Sequence, residues 1–152
     1  MTGGPAGGGP IRLFVCDDAA DFRLLLRYAA EDEPGLELVG EAADGEEGIA
    51  GVASTRPDVV LVDLSMPRVD GLEAIPRMLE VAPAARIVAM SGFPAEHMER
   101  RARDAGAAAY LQKGADLAAI VDSVRQVAAR RCRLPSPRSG RTTCTCQRSP
   151  RL

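Results

Sequence analysis

Short apolar runs alternate with longer amphipathic stretches along most of this chain. Each run has six or seven residues, a length typical of β-strands, whereas the stretches between them place apolar residues three or four positions apart, as in helices. This alternation predicts a parallel sheet covered by helices on both faces and joined by right-handed crossovers. The predicted strands are Ile11–Cys16, Leu36–Ala42, Asp58–Asp63, Ala85–Met90 and Ala107–Gln112.

The amphipathic stretches predict one helix after each strand. Apolar residues at helical spacing mark the inward side, such as Leu25 and Leu26 in the first helix and Val52 and Ala53 in the second. The third strand carries the uninterrupted run Val59–Val62, which predicts a central strand buried on both faces. The predicted helices are Ala20–Asp32, Asp44–Thr55 with Asp44 as a plausible N-cap, Gly71–Val81, Ala95–Ala105 and Ala115–Ala129.

Four of the five strands end at residues that can bind a metal ion or a phosphoryl group. Asp17 and Asp18 follow the first strand, Asp63 ends the third, Ser91 follows the fourth and Lys113 follows the fifth. The carboxyl ends of parallel strands share one edge of the sheet, so these side chains are expected to converge there. Three carboxylates, a hydroxyl and an ammonium form a set that suits Mg²⁺ and phosphoryl chemistry.

The acids and the cation have complementary roles in such a site. Mg²⁺ takes one or two carboxylates together with waters and phosphate oxygens, and its charge keeps clustered carboxylates ionised. An ionised Asp63 can attack phosphorus to give an acyl phosphate. The three equatorial oxygens of the phosphoryl group would then be matched by Mg²⁺, Lys113 and the Ser91 hydroxyl. A simpler alternative is that Asp17 and Asp18 only cap the first helix.

Composition limits the classes of protein to consider. The 152 residues are enough for one domain with an aliphatic core, since 46% are apolar and there is no Trp. There is no apolar run of 18 residues and no secretory signal pattern at the start, so a cytoplasmic protein without a membrane segment is expected. Cys16 lies in a predicted strand, far from the other three cysteines. That layout does not predict a disulfide framework or a zinc site.

Charge separates the body of the chain from its end. Residues 130–152 hold seven Arg and no acid, which leaves twelve basic and 21 acidic residues in the remainder, a balance of −9. The acidic body argues against direct DNA binding by the folded part. Residues 1–10, rich in Gly and Pro, are predicted to be a flexible leader, and residues 130–152 a disordered tail. The tail is interpreted either as a basic arm for phosphates or as a solvated appendage, such as the product of a shifted reading frame.

The strand-end residues have neighbours that complete a set of short motifs. These motifs are the pair Asp17–Asp18, Asp63 with Met66, Pro67 and Gly71 in VDLSMPRVDG, the pair Ser91–Gly92, and Tyr110 three residues before Lys113. Together they resemble the response-regulator receiver domain of bacterial two-component signalling over roughly residues 11–129. The resemblance implies a doubly wound, flavodoxin-like (βα)5 fold with strand order 2-1-3-4-5.

The resemblance also implies a function. Asp63 would accept a phosphoryl group from a phosphohistidine of a sensor histidine kinase or a phosphotransfer protein, so the chain is expected to be a phosphoacceptor switch and not an enzyme acting on an external substrate. Asp18 and Asp63 would bind Mg²⁺ directly, Asp17 would bind it through water, and the backbone carbonyl of Ser65 would complete the protein ligands.

In such domains phosphorylation shifts a population between two states. Ser91 turns towards the phosphoryl group and Tyr110 swings inward, which remodels the face of the fourth helix, fifth strand and fifth helix for a downstream partner. A phosphorylation-dependent homodimer stays open as a further outcome. An ordinary half-buried strand tyrosine is the alternative for Tyr110.

Three alternative functions follow from the same residues. A Mg²⁺-dependent phosphatase using Asp63 would need an acid two positions later, where this chain has Ser65. A flavodoxin-like nucleotide binder is disfavoured because the acids would repel phosphate unless a metal ion lies between them. The third alternative concerns Gly114, which stands where the family often has a proline with a cis peptide. The same Gly occurs in receivers that precede helix-turn-helix output domains, so a remnant of a DNA-binding regulator is the third alternative.

Overall fold

Five parallel strands form a single sheet in the computed structural model, which describes residues 9–65, 71–114 and 116–131. The strand order is β2-β1-β3-β4-β5, so the predicted doubly wound fold class is confirmed. The strands are β1 (Ile11–Cys16), β2 (Leu36–Ala42), β3 (Val59–Asp63), β4 (Arg86–Ser91) and β5 (Ala109–Gln112). The helices are α1 (Ala20–Asp32), α2 (Gly45–Thr55), α3 (Gly71–Val81), α4 (Ala95–Ala105) and α5 (Leu117–Arg131).

The centre of the sheet is as buried as its sequence predicts. All five residues of β3 are buried, because helices cover both of its faces. One face packs against α2, α3 and α4, and the other against α1 and α5. None of the helices within the described ranges is long and apolar enough to cross a membrane.

Four strand boundaries differ from the prediction: β3 and β4 begin one residue later, β4 ends one residue later and β5 begins two residues later. Two of these differences have identifiable reasons. Ser91 belongs to β4, because its carbonyl accepts a hydrogen bond from the backbone N–H of Lys113 at 2.7 Å. Ala107 lies before β5, since its N–H bonds to Ala102 O at 3.0 Å and so completes the end of α4. Both differences involve the backbone hydrogen bonds at element ends, which side-chain patterns do not determine.

Fewer apolar side chains of α1 and α2 face the core than predicted. Leu25 is 50% exposed and Ala53 is also exposed, so the prediction that they face inward is wrong. Leu26 of α1 is buried, and α2 turns Gly48 towards the sheet. A Cβ on Gly48 would come within 2.5 Å of Cys16 Sγ, so α2 packs closely at this point because a side chain is absent. Glycine has no apolar side chain, so the hydrophobic pattern gives no signal at this position.

The N-terminus of α2 is fixed by a reciprocal pair of side-chain hydrogen bonds. Asp44 Oδ1 accepts from the N–H of Glu47 at 2.9 Å, and Glu47 Oε1 accepts from the N–H of Ala43 at 3.0 Å. The predicted N-cap role of Asp44 is therefore confirmed.

Candidate functional site

Three carboxylates meet at the carboxyl edge of the sheet. Each of Asp17, Asp18 and Asp63 offers one oxygen, and these oxygens lie within 4.8 Å of one another. The sheet causes this meeting, because β1 and β3 are neighbours and Cys16 pairs with Val62, one residue before each acid. Asp17 and Asp63 are 0% and 3% exposed, whereas Asp18 is exposed to solvent.

Lys113 brings the cationic group into this cluster. Its Nζ lies 2.8 Å from Asp17 Oδ2 and 3.3 Å from Asp63 Oδ2. The backbone hydrogen bond to Ser91 O places Lys113 at the end of β5. The ammonium also lies 5.0 Å from the ring centroid of Phe22 on α1, a cation–π distance. Lys113 is therefore held between two acids and an aromatic ring.

Asp17 has one oxygen satisfied and one underbonded. Oδ1 accepts from the N–H of Ala19 at 2.8 Å. Oδ2 is buried and, within the described ranges, has only its ion pair with Lys113 and no bond that meets hydrogen-bond geometry. A buried, underbonded oxygen beside two other carboxylates fits a hard cation that prefers oxygen ligands. The residues present are therefore compatible with Mg²⁺.

The electrostatics of Asp63 and Lys113 follow from burial and from their mutual contact. Burial raises the pKa of the Asp63 carboxyl, while a hydrogen bond from Ser65 N to Oδ1 at 3.0 Å and the charge of Lys113 oppose the rise. Burial also lowers the pKa of Lys113, but the contacts with Asp17 and Asp63 outweigh it and raise the pKa overall. Lys113 therefore stays protonated, and Asp63 carries a charge that costs free energy to bury.

A glycine lets α3 begin directly against the end of β3. A Cβ on Gly71 would lie 2.6 Å from both Asp63 O and Leu64 Cα, closer than ordinary van der Waals contact. The N–H of Gly71 also points towards Leu64 O, at 3.4 Å. Gly71 thus brings a helix N-terminus up to the strand end that carries Asp63. Met66 and Pro67, which stand in the same motif, lie outside the described residues.

The two predicted switch residues meet at the backbone of Phe93 instead of at the acids. Ser91 is fully buried, and its Oγ accepts from the N–H of Phe93 at 3.1 Å. Tyr110 is partly buried, and its hydroxyl donates to Phe93 O. Across the described part of the chain, no hydrogen bond joins Ser91 to the acid cluster. The structure thus brings together Asp17, Asp18, Asp63 and Lys113, and it places Ser91 and Tyr110 at an adjoining loop.

The loop after Lys113 departs from the proline-containing form. Gly114 has φ +107°, in a region that L side chains rarely adopt and that the ring of proline forbids. Glycine at this position therefore allows a backbone conformation that proline could not adopt.

Sequence reasoning missed three residues at the site. Phe22 contacts Lys113, Arg23 donates from Nη1 to the Asp17 carbonyl at 2.5 Å, and Phe93 links the two predicted switch residues. Helical spacing gave no signal that Phe22 or Arg23 belongs to the site. The role of Phe93 comes from its backbone, which no side-chain pattern reveals.

Comparison with known proteins supports one assignment. The family model described as "Response regulator receiver domain" matches residues 13–125. Response regulator GacA of Pseudomonas viridiflava is 39% identical over 117 residues, which cover 77% of this chain and 55% of that protein. The chain thus spans about half the length of this curated relative.

Solved structures show the same architecture. A LuxR-family two-component response regulator from Aurantimonas sp. SI85-9A1 matches with a TM-score of 0.74 and 31% identity, over 79% of this chain and 86% of that one. The CheX-CheY-BeF3-Mg+2 complex from Borrelia burgdorferi matches with a TM-score of 0.70 and 25% identity, over 80% and 91% of the two chains. With its strand order, its acid cluster and a family match over most of its length, this chain belongs to the response regulator receiver domain family.

Proposed function

We propose that this protein is a signalling switch whose Asp63 accepts a phosphoryl group from a phosphohistidine in a Mg²⁺-dependent step. Magnesium and aspartate phosphorylation are typical of the family to which the chain belongs. One observation carries the proposal: three carboxylate oxygens lie within 4.8 Å, and Lys113 Nζ contacts two of those acids. That arrangement provides a nucleophile, a set of carboxylates that can bind a cation, and a fixed positive charge within one cluster.

The reaction is a transfer between two nucleophiles. A carboxylate oxygen of Asp63 forms a bond to phosphorus as the bond from phosphorus to the histidine nitrogen breaks. The nitrogen keeps the electron pair, and the phosphoryl group becomes part of an acyl phosphate. Lys113 lies where its ammonium can pair with an equatorial oxygen, and the Ser65 N–H already holds Asp63 Oδ1 in place.

The cation would be held by residues already clustered at the sheet edge. Asp18 and Asp63 would bind Mg²⁺ directly, Asp17 through a water, and the Ser65 carbonyl would complete the set. The underbonded Oδ2 of Asp17 supports this ligand set. Bound Mg²⁺ supplies positive charge that offsets the phosphoryl oxygens.

The response would spread through the Phe93 backbone. Ser91 accepts from its N–H and Tyr110 donates to its carbonyl, so turning Ser91 towards a phosphoryl group would release the Phe93 N–H and loosen the segment to which Tyr110 is bonded. The nearby helix α4 has only one fully buried residue, Ala102, so few contacts oppose its displacement. These features support a change of the α4, β5 and α5 face on phosphorylation.

The partner that delivers the phosphoryl group would dock beside the acids on α1. Leu24, Leu25 and Tyr28 are 39%, 50% and 56% exposed, and Tyr28 follows the two adjacent leucines by four and three residues, a spacing that brings its side chain next to theirs on the helix surface. An exposed apolar stripe of this kind fits an amphipathic helix of a sensor histidine kinase or a phosphotransfer protein. Leu25→Asp is expected to slow labelling by such a protein while leaving labelling by a small phosphodonor unchanged; equal slowing of both would exclude this docking surface.

No observation favours the phosphatase alternative. The position two residues after Asp63 is Ser65, whose N–H donates to Asp63, so it supplies no acid for a leaving group.

Two-dimensional amide NMR with beryllium fluoride and Mg²⁺ tests the acceptor and the switch together. Beryllium fluoride stands in for a phosphoryl group on a carboxylate. Shifts are expected at Ser65, at Phe93 and along α4 in the wild type, and they should be absent in Asp63→Asn. The matched control Asp32→Asn removes a remote carboxylate and should respond like the wild type. Identical shifts in Asp63→Asn would contradict the proposal.

A further inference from the structure

Arg23, in the first turns of α1, reaches back to the loop that carries both acids. Its Nη1 donates to the backbone carbonyl of Asp17 at 2.5 Å, and its Nε donates to Glu41 Oε1 at 3.2 Å. The side chains of Arg23 and Glu41 are only 19% and 20% exposed. A single guanidinium therefore joins the end of β2 to the loop between β1 and α1.

Glu41 is itself held from the other side. Its Oε2 accepts from Nε and Nη2 of Arg27 at 2.9 and 2.7 Å. Glu41 thus pairs with two arginines, but only Arg23 continues to the site. Arg27 makes the same kind of ion pair with a side chain that is 47% exposed, and no described contact links it to Asp17.

The hydrogen bond to Asp17 O fixes more than one atom. The N–H of Asp17 donates to Ala42 O at 3.0 Å, so the backbone of this residue is held on both sides. The carbonyl belongs to the planar peptide that leads into Asp18, and fixing that plane sets the direction in which the Asp18 side chain leaves the chain. Asp18 is exposed, and no hydrogen bond or ion pair within the described residues holds its side chain. Its position relative to Asp63 therefore depends on the backbone.

We infer that Arg23, oriented by Glu41, is a positioning residue that places Asp18 for cation binding. This inference rests on the proposed function, because it assumes that the acid cluster binds Mg²⁺. The inference predicts that removing the Arg23 charge weakens Mg²⁺ binding, the opposite of what electrostatics alone would give. Removing a positive charge near a cation site should tighten Mg²⁺ binding by electrostatics alone, whereas losing a positioning residue should weaken it.

Titration calorimetry of the full chain with Mg²⁺ separates the two effects. Arg23→Met is expected to raise the Mg²⁺ Kd by about ten-fold, within the range usual for loss of a group that orients a metal ligand. Arg27→Met removes the same charge from the same carboxylate without touching Asp17, and its Kd should stay within about two-fold of the wild type. Unchanged or tighter binding in Arg23→Met, or equal weakening in both variants, would overturn the inference.

Labelling by a small phosphodonor gives a second readout. In Arg23→Met the Mg²⁺ concentration for half-maximal rate should rise, while the rate at saturating Mg²⁺ stays close to that of the wild type. If Arg23→Met does not fold, Arg23→Lys provides the test. Lysine keeps the charge but lacks the planar guanidinium that donates to Glu41 Oε1 and the Asp17 carbonyl at the same time. Its binding should be weaker than that of the wild type, and wild-type affinity would overturn the inference. A wild type that binds no Mg²⁺ would instead refute the proposed function itself.

Discussion

Replacing Gly71 with alanine adds one methyl group where α3 begins against the end of β3. The new Cβ would lie 2.6 Å from Asp63 O and 2.6 Å from Leu64 Cα. Both atoms are backbone, so no side-chain rotation relieves the contact. Either α3 or the strand end must move by roughly 0.8 Å to restore ordinary packing distances.

The cost can be set against one compensating gain. Overpacking costs typically about 1–3 kcal/mol, and contacts with backbone belong at the upper end of that range. Alanine is the better helix former by less than about 1 kcal/mol at a helix end. The expected net loss is about 2 kcal/mol, which corresponds to a fall in Tm of roughly 6–10 °C for a domain of this size.

Urea unfolding followed by circular dichroism measures this loss. Gly92→Ala is the matched control, because a Cβ there meets nothing within 4 Å, and its unfolding free energy should change by less than about 0.5 kcal/mol. An unfolding free energy of Gly71→Ala within about 0.5 kcal/mol of the wild type would refute the account of how α3 is placed.

Three further predictions concern the site and its surroundings. Burial raises the pKa of Asp63, so the folded state binds a proton more tightly than the unfolded state, and the free energy of unfolding without Mg²⁺ should fall as pH rises from the ordinary aspartate pKa through the raised one. The Asp63→Asn variant should flatten that part of the pH profile and be more stable than the wild type at neutral pH. An Asp63→Asn variant that is less stable than the wild type at neutral pH would contradict this. Gly114→Pro should lower Tm and slow labelling by a small phosphodonor, because φ +107° is closed to proline, whereas an unchanged Tm would show that the loop adapts. Burial, aided by nearby acids, raises the pKa of Cys16 to about 12, so this thiol should react with a thiol reagent only after the protein unfolds. A variant with serine at the three cysteines of 132–146 leaves Cys16 as the thiol that is measured. Rapid labelling of this variant in its native state would count against the prediction.

The fold could be predicted because the hydrophobic pattern and the architecture agree. The run Val59–Val62 allows only a doubly covered strand, and the alternation of strands and helices leaves few topologies. The errors lie in the inward faces of α1 and α2. Leu25 of α1 faces solvent, whereas in α2 Gly48 faces the sheet, because α2 approaches Cys16 more closely than a larger side chain would permit.

The residues at the strand ends of the site were predictable, whereas the hydrogen bonds that join them to the surrounding loops were not. The order of strands brings Asp17, Asp63 and Lys113 together, so their types and positions were enough. Arg23 could not be found in the same way, because its contact with the Asp17 carbonyl depends on the tertiary path of a loop. The roles assigned to Ser91 and Tyr110 stay predictions, since the structure holds both at Phe93.

The boundaries of the domain also stay predictions. The family match covers residues 13–125, inside the predicted domain of 11–129. Residues 1–8 and 132–152, which include most of the predicted leader and basic tail, lie outside the described residues.

Intact mass measurement after incubation with a small phosphodonor tests the central claim most directly. The wild type is expected to gain one phosphoryl group when Mg²⁺ is present and none when it is removed by a chelator. Asp63→Asn should gain none, and the control Asp32→Asn should gain one. A phosphoryl group that is still acquired by Asp63→Asn without Mg²⁺ would contradict the assignment of Asp63 as the acceptor and of the acid cluster as its cation site.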